Sequence, residues 1–151
     1  MANVLVIYHS QEYGNTGTMA QAVARGVKQA GAEAVLVNTH KERADMALFR
    51  NCDAAAVGSP DYYSYIAGGL KMFFDDWHIE KGKDDTGLTD KPVGLFFSHG
   101  GGGRVKEPLE TLGQKIGPQI GNTVGSQGSP DDDAVIACEE LGRNLAEAVS
   151  S

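Results

Sequence analysis

Ser10-Gln11-Glu12-Tyr13-Gly14-Asn15-Thr16 gathers hydroxyl and amide groups around a glycine. It lies between an apolar run, Val4-Leu5-Val6-Ile7, and a segment with apolar residues four apart, Met19, Val23 and Val27. A polar turn feeding a helix N-terminus binds anions, because the free N–H groups of the first helical turn and the helix dipole point into it. The helix opening, Thr16 to Gln21, has no Asp or Glu to neutralise that positive end, although Glu12 lies in the turn. Without a ligand, the same residues read as a strand–helix connection capped by Asn15 or Thr16. A P-loop would need a Lys before its last Ser/Thr, and Gly14 to Thr18 has none. A dinucleotide fingerprint would need three glycines, and only Gly14 and Gly17 are present. What remains is a turn that holds a phosphate with hydroxyls and amides and no cationic side chain.

Two further stretches stand out. Ser59-Pro60-Asp61-Tyr62-Tyr63-Ser64-Tyr65 puts three tyrosines into four residues of a segment expected to be exposed. Ser98-His99-Gly100-Gly101-Gly102-Gly103 is nearly stripped of side chains. Each has a plain reading: tyrosine rings resting on neighbouring surface with the hydroxyl in water, and a flexible glycine connection. Brought to one place with the first turn, they offer a phosphate cradle, aromatic faces and a backbone that can approach a flat ligand. That combination suits a nucleotide with a planar ring.

The elements that would position these stretches alternate. Strands are expected at Val4–Ile7, Ala34–Asn38, Asp53–Gly58, Val93–Phe97 and, more weakly, Gln119–Val124, which Gly121 interrupts. Helical patterns follow Thr16, with Gly31 as C-cap. They recur at Lys41–Arg50, on Ile66, Leu70, Phe73 and Trp77, on Val105, Leu109, Leu112 and Ile116, and on Ala134, Cys138, Leu141 and Leu145. Lys81–Lys91 reads as an exposed loop, and Ser129-Pro130 as the N-cap and first residue of the last helix. Asp75-Asp76 is expected to be solvated and Trp77 to pack in the core. The predicted architecture is α/β, three layers with a five-stranded parallel sheet and helices on both faces. Ligands of such sheets lie beyond the carboxyl ends of the strands, where all three unusual stretches fall. A receiver domain of the same topology would need an acceptor Asp after strand three, where Gly58-Ser59-Pro60 stands.

At 151 residues the chain is expected to form one domain, 1–151. A net charge of −7 argues against nucleic acid and anionic membrane surfaces. No apolar run is long enough for membrane insertion, and the opening strand leaves no room for a signal peptide, so a cytoplasmic location is expected. Cys52 and Cys138 lack metal spacing and read as small buried hydrophobes in a reducing compartment. His9, His40 and His78 have no ligand-like partners at useful spacing, and no metal site is expected.

Over essentially its whole length the chain resembles flavodoxin and its relatives. Ser10 to Thr16 is similar to the flavodoxin phosphate loop, with one extra residue and Tyr13 before the glycine. Gly58 to Tyr63 and Ser98 to Gly103 fall where that family has its two isoalloxazine loops, and Gly128-Ser129-Pro130-Asp131 resembles the start of its last helix. The resemblance implies FMN as cofactor. The phosphate would be held by Ser10, Gln11, Tyr13, Gly14, Asn15 and Thr16, with Glu12 in the same turn. The ring would lie against Ser59, Pro60, Asp61, Tyr62, Tyr63 and Ser64 on one side, and Ser98, His99, Gly100, Gly101, Gly102 and Gly103 on the other. It implies an electron carrier working between redox partner proteins, a reductase and an acceptor. The Tyr13-Gly14 pair and the four-glycine loop are similar to the quinone-reductase branch, which implies the alternative of an FMN-dependent NAD(P)H:quinone oxidoreductase. The missing insertion after strand two and the acidic balance favour the carrier.

Overall fold

The computed structural model describes residues 1–150; Ser151, the last residue of the expected domain, lies outside them. Five strands run in parallel: β1 (Asn3–Tyr8), β2 (Glu33–Asn38), β3 (Ala54–Pro60), β4 (Val93–His99) and β5 (Val124–Gln127). They form one sheet in the order β2-β1-β3-β4-β5. The connections carry helices α1 (Asn15–Gln29), α2 (Met46–Asn51), α3 (Gly68–Lys83) and α4 (Lys106–Gly113), and α5 (Asp132–Val149) follows β5.

The period-two alternation of strand side chains divides the core into two layers. Leu5 and Ile7 of β1 face one way, with Ala55, Val57, Leu95 and Phe97, and meet Phe49, Leu70, Phe73, Trp77 and Leu109 from α2, α3 and α4. Val4, Val6 and Tyr8 face the other way, with Ala54, Ala56 and Phe96, and meet Met19, Val23 and Val27 of α1 and Cys138, Leu141 and Leu145 of α5. Burial on both faces is why the inner strands read as unbroken apolar runs. The central strand β3 uses small residues; a Cβ on its Gly58 would stand 2.1 Å from the Phe96 ring. Both cysteines are free and buried. Burial, with the neighbouring Glu139, pushes the Cys138 thiol up to about 12.

Several boundaries differ from the expectation. The fifth strand is Val124–Gln127, not Gln119–Val124. Gly121 sits at φ 70 and turns the chain, so Gln119 makes only an isolated bridge to Val93 before pairing resumes beyond it. The last helix is capped by Asp131, whose carboxylate accepts from Ala134 N at 2.8 Å, not by Ser129. Helix α2 starts only at Met46, because Asp45 caps it and Lys41 and Glu42 are held in a turn on Asn38 O. Ile66 precedes α3 rather than belonging to it. The segment 81–91 is not simply an exposed loop. Helix α3 runs through Lys83, Leu88 is fully buried, and Leu88 O accepts the Trp77 indole N–H at 2.7 Å. Lys91 is buried as well, and its ammonium donates to the carbonyls of Phe49, Arg50 and Cys52 at the end of α2. Asp76 is not simply solvated, because it takes two hydrogen bonds from Arg43, both at 2.8 Å.

Candidate functional site

The ends of β1, β3 and β4 deliver the three unusual stretches to one cavity of about 290 Å³. In the first loop, Ser10 is pinned from below. Its N–H donates to Asn38 Oδ1 and its carbonyl accepts from Asn38 Nδ2, each at 3.0 Å. Ser10 Oγ accepts from Gly17 N at 3.0 Å, and Thr16 Oγ1 shares a buried 2.7 Å hydrogen bond with Ser98 Oγ of β4. Helix α1 is not capped by Asn15 or Thr16. Its N-cap is Gly14, in the left-handed region at φ 74, with no side-chain cap and no acidic residue in the first turn. The N–H groups of Asn15 and Thr16 therefore have no acceptor among the described residues, in a loop without a Lys or Arg.

The second loop is a tight hairpin. Tyr62 and Tyr65 exchange N–H···O bonds of 3.1 Å, and the two residues between them, Tyr63 (φ 57) and Ser64 (φ 65), are both left-handed. Two-residue hairpins need that geometry, but usually place Asn and Gly there. Asp61 ties this hairpin to the third loop. Its N–H donates to Ser98 O at 2.9 Å, while its carboxylate accepts from Ser64 N at 2.8 Å and Val105 N at 3.3 Å. Burial first, and the Glu12 charge second, push the Tyr62 phenol above its ordinary value. Tyr13 is raised by its hydrogen bond to Glu12.

The cavity collects Ser10, Gln11, Glu12, Tyr13, Gly14, Asn15, Thr16, Pro60, Asp61, Tyr62, Ser98, His99 and Gly100. Tyr63, Ser64, Gly101 and Gly102 line an adjoining hollow of about 500 Å³ with Arg104. Ser59 lies apart: it is fully buried and its hydroxyl serves the loop itself, donating to Pro60 O at 2.7 Å and accepting from Ala67 N at 3.1 Å. Gly103 packs under His99, 3.3 Å from its ring for an added Cβ. Gly128 was missed as a lining residue. It follows β5 at φ 67 and donates its N–H to His99 O at 2.8 Å. The rule that ligands gather at strand carboxyl ends would have found it had β5 been placed correctly.

A phosphate-bearing planar group fits what is present. Two backbone donors at a helix N-terminus lack acceptors, and His99 Nδ1 is buried without a partner among the described residues. A buried nitrogen in that state costs about 1–3 kcal/mol until something bonds to it. The cavity lies at the small end of ligand clefts, about 300 Å³, so an FMN-sized ligand would keep an edge in solvent.

The sequence model of the flavodoxin family, described as "Flavodoxin", matches residues 6–142. A diflavin flavoprotein (A 3) of the cyanobacterium Synechocystis sp. is 29% identical over 97% of this chain and 24% of its own length. An NAD(P)H dehydrogenase (quinone) of Gluconacetobacter diazotrophicus is 34% identical over 50% of this chain and 46% of its own. The chain spans about a quarter of the length of the diflavin relatives that it matches. Among solved structures, a flavodoxin from the Archaea superposes with a TM-score of 0.82 at 22% identity, covering 97% of this chain and 98% of that one. Fold, cradle and family model agree: the chain belongs to the flavodoxin family and is an FMN-binding redox protein.

Proposed function

We propose that this chain carries electrons between protein partners, with FMN held in the cradle by the residues of the three loops. FMN supplies the one- and two-electron redox chemistry when bound. The chain's residues bind and tune it. Backbone N–H groups of Asn15 and Thr16 and the hydroxyl of Ser10 hold the phosphate without neutralising its charge. Tyr62 and the loop at His99 shield the ring from water. Glu12, Asp61 and a net charge of −7 oppose further negative charge on the ring, which sets a low potential. The observation that carries the reading is the rim. Tyr13 is 79% exposed and Tyr63 fully exposed, and both flank the cradle or its adjoining hollow. Exposed aromatics beside a cofactor edge suit a docking protein.

A second reading is an FMN-dependent NAD(P)H:quinone oxidoreductase. The adjoining hollow favours it, since Arg104 and a glycine loop beside the cradle could admit a small planar acceptor. Anaerobic titration of the FMN-loaded protein separates the two. The carrier is expected to give a persistent one-electron-reduced absorbance with dithionite and no reaction with NADH or NADPH. Direct bleaching by a pyridine nucleotide, reversed by quinone, would assign the reductase. The cytoplasm remains the proposed location; no helix among the described residues is long and apolar enough to cross a membrane.

A further inference from the structure

His9, the residue after β1, is 5% exposed, yet both ring nitrogens are hydrogen-bonded. Nε2 lies 2.7 Å from Gln11 Oε1 and Nδ1 lies 2.9 Å from Thr39 Oγ1. A carboxamide oxygen only accepts, so with Oε1 against the ring Nε2 carries a proton and donates it to Gln11, while Nδ1 pairs with the Thr39 hydroxyl. The ring has little room to turn. An added Cβ on Gly69 would stand 2.8 Å from Nδ1, and the rings of His40 and Tyr62 meet it edge-on at 5.6 and 6.2 Å.

The consequence falls on Gln11. With Oε1 held by His9, the free end of the carboxamide is its NH₂ group, which has no partner among the described residues. Gln11 lines the cradle, and the cradle contains no Lys or Arg. Neutral N–H donors are then what an anion has to bind, and this side chain adds one. Turned over, the same carboxamide would present an oxygen to the phosphate and repel it.

We propose that His9 is a positioning residue for anion binding: it fixes Gln11 so that the amide NH₂ donates to the FMN phosphate. The proposal rests on the FMN reading of the cradle. The experiment measures FMN and riboflavin binding, by quenching of flavin fluorescence, to the wild-type chain, His9→Asn, His9→Gln and Gln11→Met. His9→Asn keeps a group near Thr39 but is too short for Gln11; His9→Gln places an amide N–H near the position of Nε2.

The expected result is that His9→Asn weakens FMN about tenfold and leaves riboflavin unchanged, while His9→Gln restores FMN binding. Gln11→Met, on the exposed rim and independent of the core, should show the same selective loss, and His9→Asn should add nothing to it. The ³¹P resonance of bound FMN should shift in His9→Asn and return in His9→Gln. Equal weakening of FMN and riboflavin by His9→Asn, unchanged FMN binding in His9→Asn or Gln11→Met, or NMR showing no proton on His9 Nε2 would overturn the proposal. A wild-type chain that binds neither flavin would overturn the FMN reading itself, an outcome distinct from these.

Discussion

Where α1 crosses α5, the two backbones touch: a Cβ on Gly26 would lie 1.9 Å from Glu139 O, and one on Gly142 2.0 Å from Val23 O. At the other end of α1 the contacts to the loops are single polar bonds. The N–H groups of Asn15 and Thr16 are bare, the Gly14 cap is left-handed, and the neighbouring loops are joined by single bonds such as Thr16–Ser98 and Asp61–Val105. One helix is thus anchored by dense apolar packing at its carboxyl half and left chemically open at its amino end. The contrast shows how the fold can hold an unsatisfied, strained cradle. The seam fixes where the donors stand, so the loops need not be stable by themselves.

Changes at the seam should have the largest effect. Gly142→Ala forces a methyl into a backbone oxygen and must part the helices, costing about 3 kcal/mol; urea denaturation would show it, and an unchanged midpoint would mean that the crossing is looser than described. Thr16→Val removes one half of a buried hydroxyl pair and leaves Ser98 Oγ unpaired. About 2 kcal/mol of stability should go, together with FMN affinity, because this bond ties the phosphate loop to β4. If stability falls while FMN binding holds, the link between anchoring and binding fails at this point.

Ser64→Gly works in the opposite direction. It releases a left-handed non-glycine residue at the hairpin tip and should stabilise by about 1 kcal/mol, read as a higher thermal midpoint of the FMN-free protein. The smallest effect lies away from both regions. The Arg43 guanidinium, bonded to Asp76, holds that carboxyl below its ordinary value. A depressed carboxylate adds stability at pH above its unfolded value, about 3.9, and loses it as pH falls through the folded one. Asp76→Asn should therefore lower stability slightly at neutral pH, the pair being exposed, and flatten the acid limb, so that the two proteins converge below about pH 4.

The two regions also differ in how far the sequence disclosed them. The sheet and its two layers were legible because unbroken apolar runs and residues spaced by four mark strands and helices directly. The three loops were legible by composition: hydroxyls about Gly14, clustered tyrosines, four successive glycines. Conformation was not. Asn15 and Thr16 look like caps, yet Gly14 does the capping, because only the positive φ lets the chain leave β1 and enter α1 at that angle. Gln119 and Ile120 look like strand, but Gly121 diverts them, and with β5 misplaced Gly128 went unseen. Ser59 shares the composition of a ligand residue and faces the core, a distinction set by strand register rather than residue type. His9 gave no signal at all, since its partners Gln11 and Thr39 come together only when β1 and β2 are paired.

The uncapped start of α1 has a consequence for the life of the protein. If FMN supplies the acceptors missing there, as proposed, the end of this helix is complete only in the holoprotein. Its first turn should exchange amide hydrogens quickly in the flavin-free chain and slowly once loaded. Flavin bound to the native state alone adds stability by mass action, about 2.7 kcal/mol at one hundred times the dissociation constant. On that reading, flavin supply should lengthen the time each chain resists proteolysis, an effect that begins at one helix end.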